Sequence, residues 1–504
     1  MTRPTMNTLP ASANAREKAA LKRDRHDRPI SHGAKLKVAI LGDFSGRASR
    51  GLCEPESLGS RPAYRVSKDN FSSLFERLQV GLKLPVMDET LWLLEFDDLH
   101  PDYLYQKVPL FKKFIELEKR LLTPSEFSRA VSEIQQWRPE LVQDERASDV
   151  AVPAQTMLDA VLTGTNYQRQ YRSSPEGQID HLIKSIVAPY VQQKPDASQA
   201  LYLDAVTKAA SETMRKLMHH SDFQQLEASW RSLQMLLRRV EDHRSLELHL
   251  VDVSKAEILA DFAQAEGDLE DSQLFKCLVA RETIAGGSPY NLVIGDFYIA
   301  DEERDLHLLI DLATIAEAAE CAVVLGGDNR LAGCPSLAGS LDPDDWHYPM
   351  SQAFAESWTA VREYSACEYV ALAAPRFMLR LPFGEETSRT DCFAFEELTP
   401  DLGHQYYLWG NSAYLLGLSI CCAFVDAEGE LPVTDARFHD FPLHVRTLPQ
   451  GKWITPCAEA LLNDRAAGRF QSAGLSTLRS VQGRDEIHLP KLQSIAGTSL
   501  RGPW

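Results

Sequence analysis

At 504 residues the chain is too long for one ordinary core, since domains run about 100–200 residues, and 44% hydrophobic with 25% charged residues rules out a disordered chain. A formal charge of -18 sets the surface as a whole against nucleic acid and anionic membranes, and no run approaches the roughly 20 apolar residues of a membrane span. Nine cysteines, odd in number and with no CxxC pair, lie mostly among apolar residues, the usage expected of reduced thiols in a cytoplasmic chain.

Residues 1–33 read as a basic, disordered leader. Nine Lys or Arg stand against Glu17, Asp24 and Asp27 within residues 1–37, and no apolar centre marks a secretory signal. Such a leader is either simply solvated or binds an acidic partner or neighbouring subunit. Residues 34–135 read as a compact α/β unit. Its expected elements are a strand over 36–41, a helix over 71–82, a strand over 91–96 and a helix over 102–122. Residues 136–194, with Pro139, Pro153 and Pro175, read as a linker holding one short helix around Met157–Leu162.

From 195 to 504 a second unit is expected. Helices over 199–218 and 223–240 flank a break at His219-His220-Ser221-Asp222, where imidazoles would meet the free carbonyls of a helix end. A half-buried strand follows at 246–251. Ser254-Lys255-Ala256-Glu257 has capping-box spacing. Strands at 291–294, 321–325 and 369–372 alternate with helices at 306–319 and 352–364. A last helix is expected at 457–473, capped by Thr455. The fold class is thus α/β (α+β mixed), two α/β units joined by a linker.

Candidate chemistry is sparse. Gly42-Asp43 and Gly295-Asp296, each followed by Phe after a strand, suit turns in which the carboxylate accepts backbone N–H groups. Gly286-Gly287 and Gly326-Gly327 lack the spacing and the Lys of a phosphate loop. Gly410-Asn411-Ser412 lacks the second Gly of a nucleophile elbow. Adjacent His219 and His220 point about 100° apart on a helix and make no zinc pair. No catalytic, cofactor or metal site is expected, and an enzyme is the least favoured reading. Phe223, Leu226 and Trp230 instead form one helical stripe, for core or interface. Glu227 and Arg231 stand at i,i+4, and Arg376 and Arg380 flank a strand-like alternation, with Glu396 and Glu397 as candidate carboxylates.

Two groups of motifs resemble a known system. Leu41-Gly42-Asp43-Phe44-Ser45-Gly46, Val66-Ser67-Lys68-Asp69-Asn70-Phe71 and Phe96-Asp97-Asp98-Leu99-His100-Pro101-Asp102 are similar to the small sheath protein of type VI secretion (TssB, also called VipA or ImpB). His219-His220-Ser221-Asp222-Phe223-Gln224-Gln225-Leu226-Glu227-Ala228-Ser229-Trp230-Arg231 resembles the signature of the large sheath protein (TssC, VipB, ImpC or EvpB). Val293–Phe297, Trp358–Glu363, Ala374–Gly384 and Leu408–Asn411 follow in that family's order. Departures begin after Ala423, and the chain stops where a large subunit continues into the region for which the resemblance implies strand exchange between subunits.

The resemblance implies a structural component of the contractile sheath, working in the cytoplasm around an inner tube to drive effector delivery. Its partners would be further copies of itself or conventional sheath subunits, with the inner tube, the baseplate and a ClpV-like recycling ATPase beyond them. Phe223, Leu226, Glu227, Trp230, Arg231, Arg376, Arg380 and Trp409 would then be interface or core groups. The alternative is a sheath-like adaptor or cap that docks on sheath, baseplate or ATPase without propagating.

Overall fold

The computed structural model describes residues 35–136, 199–240, 243–280, 289–399, 402–426, 434–448 and 451–504. The basic leader and the proposed linker helix around Met157–Leu162 lie outside them.

Strand β1 (Leu36–Gly42) is wholly buried and, apart from Lys37, apolar. After it come β2 (Tyr64–Val66), α1 (Ser73–Leu78), a small β3–β4 ribbon (Gly81–Leu82 and Leu91–Trp92), α2 (Pro101–Lys107), α3 (Pro109–Leu122) and α4 (Phe127–Gln136). Three expectations need correcting here. Helix 71–82 is only α1, because Gln79 turns left-handed (φ 51) and ends it. Strand 91–96 stops at Trp92, because the Asp98 carboxylate takes the N–H groups of Leu94 (2.7 Å) and Glu95 (3.2 Å) that a strand would need. Helix 102–122 is two helices, because Pro109 holds Val108 extended.

The second stretch begins with α5 (Gln199–Met218) and α6 (Ser221–Val240), broken where the sequence placed the break. Next are β5 (Leu246–Asp252), α7 (Lys255–Gln264), β6 (Leu292–Ile299), α8 (Glu303–Ala319), β7 (Ala322–Gly327), α9 (Gln352–Arg362) and β8 (Val370–Ala374). The chain continues through the short β9 (Phe377–Met378) and β10 (Trp409–Gly410), which pair with each other, then α10 (Ala413–Asp426) and β11 (Thr434–Phe438). Last are the ribbon β12 (His444–Leu448) and β13 (Gly451–Thr455), α11 (Asp464–Ser472), β14 (Leu475–Thr477), β15 (Arg479–Ser480) and β16 (Ile487–Lys491).

Helix α10 escaped the sequence reading because it is apolar on every side and shows no period. Gly417 lets it approach the sheet closely, since a Cβ there would lie 2.3 Å from Ile294 Cδ1. Helix 457–473 is shorter than expected: Asn463 caps it by accepting from the N–H of Ala466 (2.8 Å), so Leu461 and Leu462 precede it. Strand β6 does not turn at Gly295-Asp296 but runs through both to Ile299, with an irregularity against β7. Gly326 and Gly327 likewise belong to β7.

The main sheet has the order β14-β8-β7-β6-β1-β5-β2, parallel except where β2 meets β5. Strand β1 is central. Its residues Leu36 to Gly42 pair with Leu246 to Asp252 on one side, and Val38 to Leu41 pair with Leu292 to Gly295 on the other. The two sequence stretches therefore build one sheet rather than two. Val38, Ile40, Leu248, Leu250 and Ile294 face α1–α3, α5, α6 and α10. Ala39, Leu41, Val251, Val293 and Leu325 face α7, α8, α9 and α11. Strands buried on both faces need continuous apolar runs, which is the texture of β1 and β7.

A central strand cannot leave without opening two ladders. A protease site inserted at Pro153 and cut to completion is expected to leave both fragments co-eluting in gel filtration at native pH. Separate elution under those conditions would show that the shared sheet does not hold the stretches together.

Candidate functional site: the seam between the two stretches

Trp230 lies on the inner face of α6 and is 0% exposed. Among the described residues its partner rings all come from the first stretch: it stacks on Phe75 at 3.9 Å and takes Phe44 and Phe71 edge-on at 5.5 and 5.7 Å. The indole N–H donates to the Phe44 carbonyl at 2.9 Å. Phe223 and Leu226 are buried on the same stripe. The stripe is core, and that core is made from both stretches.

The motifs of the first stretch lie along this seam. The loop after β1 is held by Asp252, whose carboxylate accepts from the N–H groups of Phe44 (2.9 Å) and Ser45 (3.0 Å) and from Ser45 Oγ (2.7 Å). Asp43 accepts from the N–H groups of Arg47 and Ala48 at 2.6 and 2.8 Å. Asn70 shapes the turn before α1 by accepting from the Ser67 N–H (2.9 Å) and donating to the Arg65 carbonyl (2.8 Å). Asp102 accepts from the N–H groups of Asp391 and Cys392, the latter at 2.8 Å. Tyr105 stacks on Phe393 at 4.3 Å, and His100 meets Phe383 edge-on at 4.8 Å.

Three ionic clusters lie in the interior, the first two in contact with residues of the first stretch. Glu227 is 0% exposed; it accepts from Arg231 Nε at 2.6 Å and from Arg380 Nε and Nη2 at 2.7 and 3.1 Å. Arg380 also grips Glu397 with Nη1 (2.6 Å) and Nη2 (2.9 Å). Burial opposes the charge on Glu227, but the two guanidiniums outweigh it and hold the carboxyl at about 2. Arg231 in turn lies over the Phe96 ring at 5.3 Å. The i,i+4 pair is thus a buried bridge rather than a surface pair, and Arg380 sits in the interior, not on a wet strand face. Leaving one charge of such a cluster unpaired costs about 3–5 kcal/mol.

In the second cluster Glu257, expected only as a capping-box residue, also accepts from Arg47 Nη2 (2.8 Å) and Arg61 Nη2 (2.6 Å). Both arginines come from the first stretch, and neither was marked by any local pattern. In the third cluster Arg376 pairs with Glu459, not with Glu396, and His404 Nε2 approaches the same carboxylate at 3.2 Å. Trp409 lies beside Arg376 and donates from Nε1 to the His404 carbonyl at 3.0 Å. His220 does not meet the end of α5 but caps α6, accepting from the Asp222 N–H at 3.2 Å. Among the described residues no group of three His, Cys, Asp or Glu could hold a metal, and no helix is long and apolar enough to cross a membrane.

Asp252 ends β5, and Asp296 lies within β6. Burial pushes each to about 6, against hydrogen bonds that favour the charge, from Ser45 to Asp252 and from Tyr414 (3.4 Å) to Asp296. An ordinary Asp sits near 3.9. Ionising these carboxyls therefore costs folding energy. Their contribution is most favourable below about pH 4 and is lost as pH rises to about 6. Glu227 and Glu257, both held at about 2, act oppositely and lose their contribution as pH falls below about 4.5.

In urea unfolding, Asp296→Asn is expected to gain stability relative to the parent as pH rises from 5 to 7, a change in the difference between the two proteins that isolates this carboxyl from the buried histidines. An unchanged difference would remove Asp296 as a source. Trp230→Ala is expected to cost about 3–5 kcal/mol in the same assay. A variant melting like the parent would contradict the anchor.

Residues 202–496 match the family described as VipB: EvpB/VC_A0108, tail sheath N-terminal domain. The type VI secretion system sheath protein TssC1 of Pseudomonas aeruginosa (strain PAO1) is 33% identical over 239 residues, which are 45% of this chain and 48% of that protein. The chain spans about half the length of this curated relative. The matched region includes α6 with Trp230, the two flanking strands of β1 and both buried arginines Arg376 and Arg380, and on that match the chain belongs to the VipB (EvpB/VC_A0108) tail sheath family.

Proposed function

We propose that this protein is a structural component of the type VI secretion contractile sheath, with a small-subunit-like stretch (residues 34–135) joined to a large-subunit-like stretch (195–504) in one polypeptide. The observation that carries the reading is the place of β1. It lies between β5 and β6 of the sheath-family region, and the residues resembling small-subunit motifs are those that touch Trp230, Asp252 and the backbone at Asp391. Joining both parts fixes their ratio at one to one and removes the entropic cost of bringing them together. The buried groups hold shape rather than perform chemistry. Contacts that repeat head to tail without closing generate tubes. On this reading the protein works in the cytoplasm with further copies or conventional sheath subunits, around an inner tube, above a baseplate and within reach of a recycling ATPase.

Negative-stain imaging and sedimentation of the purified chain test the proposal. Tubes or stacked rings are expected, with no ATP hydrolysis and no stoichiometric metal by elemental analysis. A protein that stays monomeric at every concentration, yet binds preformed sheath or baseplate, would replace the sheath reading with the adaptor. Metal at one per chain would reopen an enzymatic role.

A further inference from the structure

Gly42, Asp252 and Asp296 stand level on the three central strands. Gly42 pairs with Asp252, and Leu41 pairs with Gly295, the residue before Asp296. Each carboxyl comes two residues after a side chain on the face covered by α6 and α10, Leu250 in one case and Ile294 in the other, and so shares that face. Gly42 brings no side chain between them, and the Phe44 ring closes the gap: a Cβ at Gly42 would lie 2.9 Å from Phe44 Cε2 and 3.0 Å from the Asp296 Cβ. Phe44 also meets Trp230 edge-on and takes its indole N–H on the carbonyl. It thus links the two carboxyls to the anchor of α6.

No Lys, Arg or His forms an ion pair with either carboxyl among the described residues. Around Asp252 stand Asp43, Ser45 and Arg47, but the Arg47 guanidinium is committed to Glu257 and Glu54, and Arg50 binds Ser45 instead of the carboxylate. Asp296 is faced by Asp43 from the end of β1, Ser229 of α6, Asn411 and Tyr414 at the head of α10, and Tyr298 of its own strand. A buried carboxyl without a cation is held in its neutral form, and another carboxyl nearby holds it there more firmly.

We infer that Asp252 and Asp296 form a proton-operated catch on the seam, closed while both carboxyls are neutral and opened by their ionisation. With both protons gone, two like charges share one dry face of the sheet. Water reaches them when the loop from Gly42 to Gly46 lifts, and that movement carries Phe44 away from Trp230. The first stretch therefore grips α6 more tightly in mildly acidic than in neutral solution. The catch belongs to the fold and holds whether or not the chain assembles into a sheath.

Hydrogen exchange of the full chain, read by mass spectrometry as protection factors at pH 5.5 and 7.5, tests the catch in the parent, D296N and D252N/D296N. Burial pushes each carboxyl to about 6. Against an ordinary Asp near 3.9, each one released on opening contributes about fourfold over this range. Peptides covering residues 42–48 and 223–230 are expected to lose protection roughly tenfold or more in the parent, about fourfold in D296N and not at all in the double variant. Peptides from β7 and β8 are expected to keep theirs, because they exchange through global unfolding, where His219 and His444, held neutral by burial, act with the opposite sign. Unchanged protection at 42–48 in the parent overturns the catch, and so does a loss that β7 and β8 share equally. A double variant that loses protection like the parent overturns it too. If the double variant does not fold, D296N decides alone, and a loss as large as the parent's overturns the catch.

Discussion

The fold depends on one ring. Trp230 brings the largest apolar surface of α6 into a pocket whose walls are Phe44, Phe71 and Phe75, and its N–H donates to a carbonyl 186 positions earlier in the chain. Burying an indole requires both the apolar walls and a partner for the nitrogen. Here the first stretch supplies both. The position of α6 above the sheet, the path of the loop after β1 and the orientation of α1 are set together by that requirement.

Around this ring the interior carries more charge than a soluble α/β protein needs. Desolvating Glu227, Glu257 and Glu459 opposes folding, and the arginines offset that cost by fork-like pairing rather than exceed it by much. Such clusters are weak as sources of stability and strong as sources of geometry. An apolar core tolerates sliding, whereas Arg380 satisfies Glu227 and Glu397 in only one arrangement. On the proposed sheath reading, such a lock would let the subunit carry load without internal slip.

Local rules made much of this legible. The apolar runs of β1 and β7, the alternation of β5, the helix break at His219-His220 and the box at Ser254 and Glu257 each follow from a few adjacent residues. The stripe of Phe223, Leu226 and Trp230 announced a buried face, but not which residues would cover it. What stayed hidden was partner choice at long range. Arg47 and Arg61 look like surface residues of a polar loop until the sheet brings Glu257 beside them. Arg376 had a nearer carboxylate in sequence at Glu396 and found Glu459 instead. Helix α10 was missed for a different reason: immersion on all sides erases the periodicity by which helices are recognised.

The central place of β1 also sets a timetable. Both of its neighbours lie far downstream, β5 beginning at Leu246 and β6 at Leu292. At about 5–20 residues per second, synthesis leaves this apolar strand without its neighbours for roughly 10–40 s or more. During that interval it is an adhesive edge on a nascent chain, with the rings of Phe44, Phe71 and Phe75 also waiting for their indole. In a crowded cell that wait invites pairing with the wrong strand, including the same strand on another ribosome of the polysome. The topology that makes the finished subunit hard to pull apart thus makes its birth depend on holding the first hundred residues apart from their neighbours until the second stretch emerges.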